Sequence, residues 1–142
     1  MSKQNDRRPA ATIAAGSFVV AELEGRRVLC LKAERRGKDH VNHFLVPLDP
    51  VPDRRTLALA YTDPDAAIEP ADGVSLALAD AAEEGPPEIG DAFAAAGATY
   101  LKLADGPQSQ RLHAYVDLST GQVRPRMDRH AVRRLVWSVR QD

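Results

Sequence analysis

The chain has 142 residues and a formal net charge of −1, with 44% hydrophobic, 27% charged and only 5% aromatic residues. That size suits one domain with an ordinary core, built mainly from Leu, Val and Ala because aromatic residues are few. The single cysteine, Cys30, excludes an intramolecular disulfide and any zinc site built on several thiolates. No apolar run reaches the roughly 20 residues of a membrane-spanning helix.

Charge is unevenly spread. Residues 1–62 carry a net +4, residues 63–105 a net −9 and residues 106–142 a net +4. An acidic middle between basic flanks can be satisfied within the fold, between subunits or by solvent.

Residues 1–11 are polar and interrupted by Pro9, and are expected to form a disordered tail ahead of a single β domain over 12–142. Lys3, Arg7 and Arg8 before the mild stretch 10–21 loosely resemble a secretory signal. Asp6, Thr12, Gly16 and Ser17 dilute that pattern, so a cytoplasmic, bacterial-type protein is expected. Phe18, Val19, Val20 and Leu23 favour a strand, Glu24-Gly25 a tight hairpin turn, and 27–33 a second strand. In that second strand Leu29 and Leu31 share one face, Val28 and Cys30 the other. Residues 34–40 read as a charged loop.

Residues 42–48 predict a third strand with Phe44, Val46 and Leu48 on one face, stopped by Pro47, Pro50 and Pro52. Leu57, Leu59 and Tyr61 mark a fourth, 63–73 a loop, and Val74, Leu76 and Leu78 a fifth. The acidic segment 80–88, with Pro86-Pro87, is the one candidate point of subdivision. Residues 89–96 read as a short strand leading into a glycine turn. Alternation then predicts strands at 99–103 and 112–118, a three-residue hairpin loop at Ser119-Thr120-Gly121, and a return strand through Val123, Pro125 and Met127. Residues 128–141 fit a strand better than a short C-terminal helix, because Leu135, Trp137 and Val139 alternate. Short strands separated by turn residues predict a mainly β fold, either a small antiparallel barrel or two packed sheets built from hairpins.

Two constellations suggest chemistry. Tyr100, Lys102, Arg111, His113, Tyr115, Arg124 and Arg126 are expected on one outward sheet face, where basic and aromatic groups suit phosphates and stacked bases. His113 and Asp117 on that face are four residues apart, roughly 13 Å along a strand, too far for a direct dyad. His40 and His43, with Asp39 beside them, offer two imidazoles to a metal if His113 or His130 supplies a third ligand. No serine has the glycine context of a nucleophile elbow, and no glycine-rich phosphate loop is present.

Leu23, Gly25, Arg26, Val28 and Leu31, followed by Asp39 and Asn42, resemble the first signature of Sm-like RNA-binding barrels. That resemblance implies a bent barrel that forms rings and binds single-stranded RNA through its loops. It covers under a quarter of the chain. Cys30 stands near where the pattern has glycine, Asp39 and Asn42 come late, and no Arg-Gly second signature follows. Asp117-Leu118-Ser119-Thr120-Gly121 resembles the Asp-x-Ser-x-x-Gly motif of PilZ domains, which implies cyclic-di-GMP binding. Here the glycine comes one residue early, no Arg-x-x-x-Arg run precedes it in the required relation, and a plain hairpin turn accounts for the segment. Neither family is assigned.

The expected function is therefore that of a non-enzymatic β domain, a protein-interaction or structural module, without cofactor and without a membrane role. Its expected partner is a second copy of itself or another protein. The alternatives are a single-stranded nucleic-acid-binding barrel using the sheet face, and a metal-dependent enzyme using His40 and His43.

Overall fold

A run that is apolar on both faces dictates a strand covered on both sides, and Val28-Leu29-Cys30-Leu31 is such a run. It lies in the middle of the architecture. The computed structural model describes residues 6–82, 85–106, 112–124 and 133–141. Two six-stranded sheets pack face to face. The first contains β1 (Arg8–Pro9), β2 (Phe18–Leu23), β3 (Arg26–Arg36), β4 (Val41–Asp49), β5 (Ala60–Thr62) and β6 (Ala67–Pro70), in the order β1-β6-β2-β3-β4-β5. The second contains β7 (Val74–Asp80), β8 (Ala92–Ala95), β9 (Ala98–Ala104), β10 (His113–Asp117), β11 (Val123–Arg124) and β12 (Arg133–Gln141), in the order β11-β10-β9-β8-β12-β7.

Every pairing between these strands is antiparallel. The described residues include two 3-10 turns and no α-helix, and none of their helical segments is long and apolar enough to cross a membrane. The mainly β fold is thus the two-sheet form of the expectation, with no closed barrel. Residues 133–141 are strand; residues 128–132, where the alternative helix would have begun, lie outside the described residues.

The main core lies between the sheets. Leu31, Ala33, Phe44, Val46 and Leu48 face Leu101, Leu103, Ala114, Val116, Leu135 and Trp137. These residues come from both sides of the acidic stretch at 80–88. Burying each larger aliphatic or aromatic side chain contributes about 1.5–3 kcal/mol before conformational entropy is counted. The sheets are also stitched by backbone: Glu34 N–H donates to Gly121 O at 2.9 Å and Leu59 N–H to Ala104 O at 3.0 Å. Two tight turns need left-handed backbone at both central positions, Glu24-Gly25 between β2 and β3 and Ala96-Gly97 between β8 and β9.

Several expectations are corrected. The tail through residue 11 is not free at its end, because β1 pairs with β6 and Ala10 N–H donates to Ala66 O at 2.8 Å. Pro47 does not stop its strand. It sits inside β4 opposite Cys30, where a register shift between Leu29 and Cys30 absorbs the missing donor. The charged loop at 34–40 is shorter than expected, since Glu34, Arg35 and Arg36 pair with His43, Asn42 and Val41. The fourth strand is only Ala60–Thr62, with Leu57 and Leu59 still delivered to the core. The loop expected at 63–73 contains β6.

Candidate functional site

The described members of the expected sheet face share one side, but only some of them face solvent. Register places Tyr115 opposite both Lys102 and Arg124, and Tyr100 opposite Asp117, so the pleat sorts these residues to one side as alternation requires. That side is only partly open. Tyr100, Lys102 and Tyr115 are buried, while His113 and Arg124 are exposed. Phe93 stacks on Tyr100 at 5.5 Å and meets Tyr115 edge-on at 5.9 Å, forming a small aromatic core with Ala95. Lys102 Nζ donates to Pro87 O at 3.1 Å and lies 5.7 Å from the Tyr115 ring centroid. Arg111 and Arg126 lie outside the described residues.

The proposed metal pair is not brought together as ligands. His40 is exposed in the loop after β3, whereas His43 is buried on β4. No group of three or more His, Cys, Asp or Glu side chains among the described residues is arranged to hold a metal ion. His130 is outside the described residues.

His43 belongs to a cluster that sequence reasoning missed. Lys32 on β3 is fully buried, with 0% exposure. Its ammonium has three donors and three neighbours: Ile13 O at 3.0 Å, His43 Nδ1 at 3.0 Å and Glu34 Oε2 at 3.7 Å. Burial pushes the Lys32 pKa down, and Glu34 opposes that shift. Burial also lowers the His43 pKa, as does the Lys32 charge, with Glu34 again opposing. A buried amine with a lowered pKa is a reactive type of group. This one is sealed. Residues Ile13 to Ser17 lie over it, with Gly16 N–H donating to Lys32 O and Lys32 N–H to Ser17 O, both at 2.8 Å. A substrate has no surface of Lys32 to reach, so the cluster pins the N-terminal segment to the first sheet. The available signal was positional. Lys32 continues the Val28–Cys30 face of a strand apolar on both sides, so it had to be buried.

The turn that resembles the PilZ motif packs against the same place. Asp117 Oδ1 accepts from Ser119 N–H, Ser119 Oγ and Thr120 N–H at 2.9, 2.8 and 3.2 Å. These bonds occupy the carboxylate within its own turn, which is the work of a structural hairpin.

A groove of about 820 Å³ runs between the β2–β3 hairpin and residues 47–60. Among the described residues its lining is apolar apart from Glu22, Glu24, Arg26 and Thr56, and it contains no histidine, cysteine, serine or lysine.

The remaining feature is a sheet edge. An edge strand offers unpaired backbone donors and acceptors to another chain, and proteins usually blunt it with short length, proline or charge. β1 is two residues long with Pro9, and β5 is three residues long. β7 is seven residues long, Val-Ser-Leu-Ala-Leu-Ala-Asp, with no proline or lysine. Its only charge, Asp80, stands at its end and pairs with Arg133 at 3.1 Å. All seven residues pair with β12 on one side, and among the described residues no strand pairs on the other. Leu78 is 41% exposed there, and Val136, opposite Ala79 on β12, is 55% exposed on the other face.

Compared with known proteins, the chain matches no family model, no curated protein and no solved structure.

Proposed function

We propose that this is a non-enzymatic protein-interaction module that receives an extended partner strand along β7. The observation that supports the reading most is the contrast in edges: the first sheet ends in strands of two and three residues, while β7 presents seven with a half-exposed leucine. Strand addition at such an edge gains affinity from main-chain hydrogen bonds and selectivity from alternate side chains. On β7 the alternate apolar residues are Val74, Leu76 and Leu78. The reading also places the domain in the cytoplasm, supported by a lone cysteine that is buried, with its pKa pushed up to about 12, and that needs no oxidising compartment.

Burial of Tyr100, Lys102 and Tyr115 takes both aromatic rings and one lysine of the nucleic-acid reading out of reach and leaves His113 and Arg124 exposed, so the open edge is the better supported reading. The test is selection of random extended peptides on the full chain, with binding mapped by backbone amide chemical shifts. The expected map is confined to β7 and β12, and Leu78→Lys removes it. A map elsewhere, binding indifferent to that substitution, or no binder at all would overturn the proposal.

A further inference from the structure

We infer that the strand received along β7 is β7 of a second copy of this chain, the two related by a two-fold axis through Ala77. The inference rests on the reading of β7 as a contact edge and adds the occupant. When a strand pairs antiparallel with its own copy, the register is fixed by which residue lies on the axis, so the sequence of β7 can be tested against each choice.

With Leu76 on the axis, Asp72 falls opposite the partner's Asp80, a like-charge pair. With Leu78 on the axis, Val74 and Ser75 pair beyond the end of the partner's strand. With Ala77 on the axis, all seven residues pair within the strand, Asp80 meets the partner's Val74 only at the strand ends, and no charges of like sign face each other. Ala77 meets the partner's Ala77, small enough for close approach. Leu78 meets the partner's Leu76, and Ser75 the partner's Ala79.

The register with β12 extends these pairs into rows across the joined sheet. Leu78 lies opposite Trp137, and Leu76 opposite Val139. The row across the seam is therefore Trp137, Leu78, the partner's Leu76 and the partner's Val139, four apolar residues in line. Leu76 and Val139 already pack on the main core and Trp137 belongs to it, so the seam continues that core across the dimer. It also covers Leu78, the large apolar side chain that the isolated chain leaves 41% exposed on β7. Seven paired residues give about six to eight inter-chain hydrogen bonds, within the usual range of about five to fifteen for a specific interface. A two-fold pairing also closes on itself, so one open edge yields a dimer rather than a filament.

Sedimentation of the full chain over a wide concentration range, with charges placed on the axis, tests this. Ala77 is partly exposed and lies opposite Ser138 on the outer face, so charged replacements there are compatible with folding. The wild type is expected to dimerise. Ala77→Glu and Ala77→Lys are each expected to weaken the homodimer on the order of tenfold or more, because like charges then face each other. A mixture of the two is expected to restore a one-to-one heterodimer.

The double variant Ser75→Lys with Ala79→Glu changes two exposed positions and sets opposite charges across the seam twice. It is expected to dimerise more tightly than wild type, and it decides the matter even if the Ala77 variants fold poorly. A wild type that stays monomeric to its solubility limit overturns the inference, as does a dimer indifferent to these charges. If the chain is monomeric yet selected peptides still map to β7, the contact edge stands and only the identity of its occupant falls. If peptides fail as well, both fall.

Discussion

The two sheets are finished differently. The first ends in strands of two and three residues, and its outer face is covered by the segment from Ala10 to Gly16, which Lys32 ties down through Ile13 O. The second sheet also covers an outer face, with Phe93, Tyr100 and Tyr115, but among the described residues it leaves the edge of β7 away from β12 unpaired along its whole length. Both outer faces are cores in miniature, so a face rich in basic and aromatic residues is not by itself a binding surface. What separates the sheets is the treatment of backbone at the edge, and that is where contact with another chain costs least.

The comparison can be broken at its cores first. If the outer face of the second sheet is packed as tightly as that of the first, Phe93→Ala destabilises the fold by about 3–5 kcal/mol in urea unfolding. A loss below about 1 kcal/mol would mark a solvated platform instead. Next is the turn that docks on the first sheet. A Cβ at Gly121, where φ is +72°, would lie 2.2 Å from Gly16 N and 2.6 Å from Lys32 O. Gly121→Ala is expected to cost about 2–4 kcal/mol, from left-handed strain and overpacking together. Gly25, with φ +78° and nothing within 4 Å, bears only the strain, so Gly25→Ala is expected to cost about 1–2 kcal/mol. Equal losses would show that the turn does not bind the sheets together.

The Lys32 cluster predicts a smaller, pH-dependent effect. His43 has a pKa below its usual 6.5 in the folded chain, so the unfolded chain takes up a proton first as pH falls. Stability is then present above pH 6.5 and is lost as pH falls through the window between 6.5 and the lowered folded value. Lys32 acts in the same direction in the alkaline range, where stability rises as pH climbs from its lowered pKa toward 10.5. Denaturation followed against pH checks both, and His43→Gln is expected to abolish the acid slope while Lys32→Met abolishes the alkaline one. The smallest effect on stability belongs to the open edge. Leu78→Lys is expected to change it by no more than about 0.5 kcal/mol while removing association, which separates an interaction surface from a structural one.

Much of this fold was legible in local alternation. Phe44, Val46 and Leu48 on one side of β4, the Glu24-Gly25 turn, and the hairpin closed by Gly121 all follow from period-two patterning and turn chemistry. β6 was not legible, because Ala67–Pro70 is short and carries Glu69 and Pro70; its pairing with β1 and β2 makes it a strand. Pro47 misled for a related reason, since the bulge beside it, with Leu48 as the extra residue of β4, arises only in the pairing with β3. The pleat side of Tyr100, Lys102 and Tyr115 was readable, but their cover was not, because it depends on Phe93 and on the approach of Pro87 from distant sequence. β7 itself was readable from Val74, Leu76 and Leu78. That it stands at an edge follows from strand order, which pattern alone does not encode.

The most direct test of the open edge is backbone hydrogen exchange of β7, followed by NMR at low and high protein concentration. The outward-facing amides of β7 are predicted to exchange fast at high dilution and to become protected as concentration rises, while β3 and β9 stay equally protected throughout. Slow exchange of those amides at high dilution, or fast exchange that no concentration slows, would contradict the account.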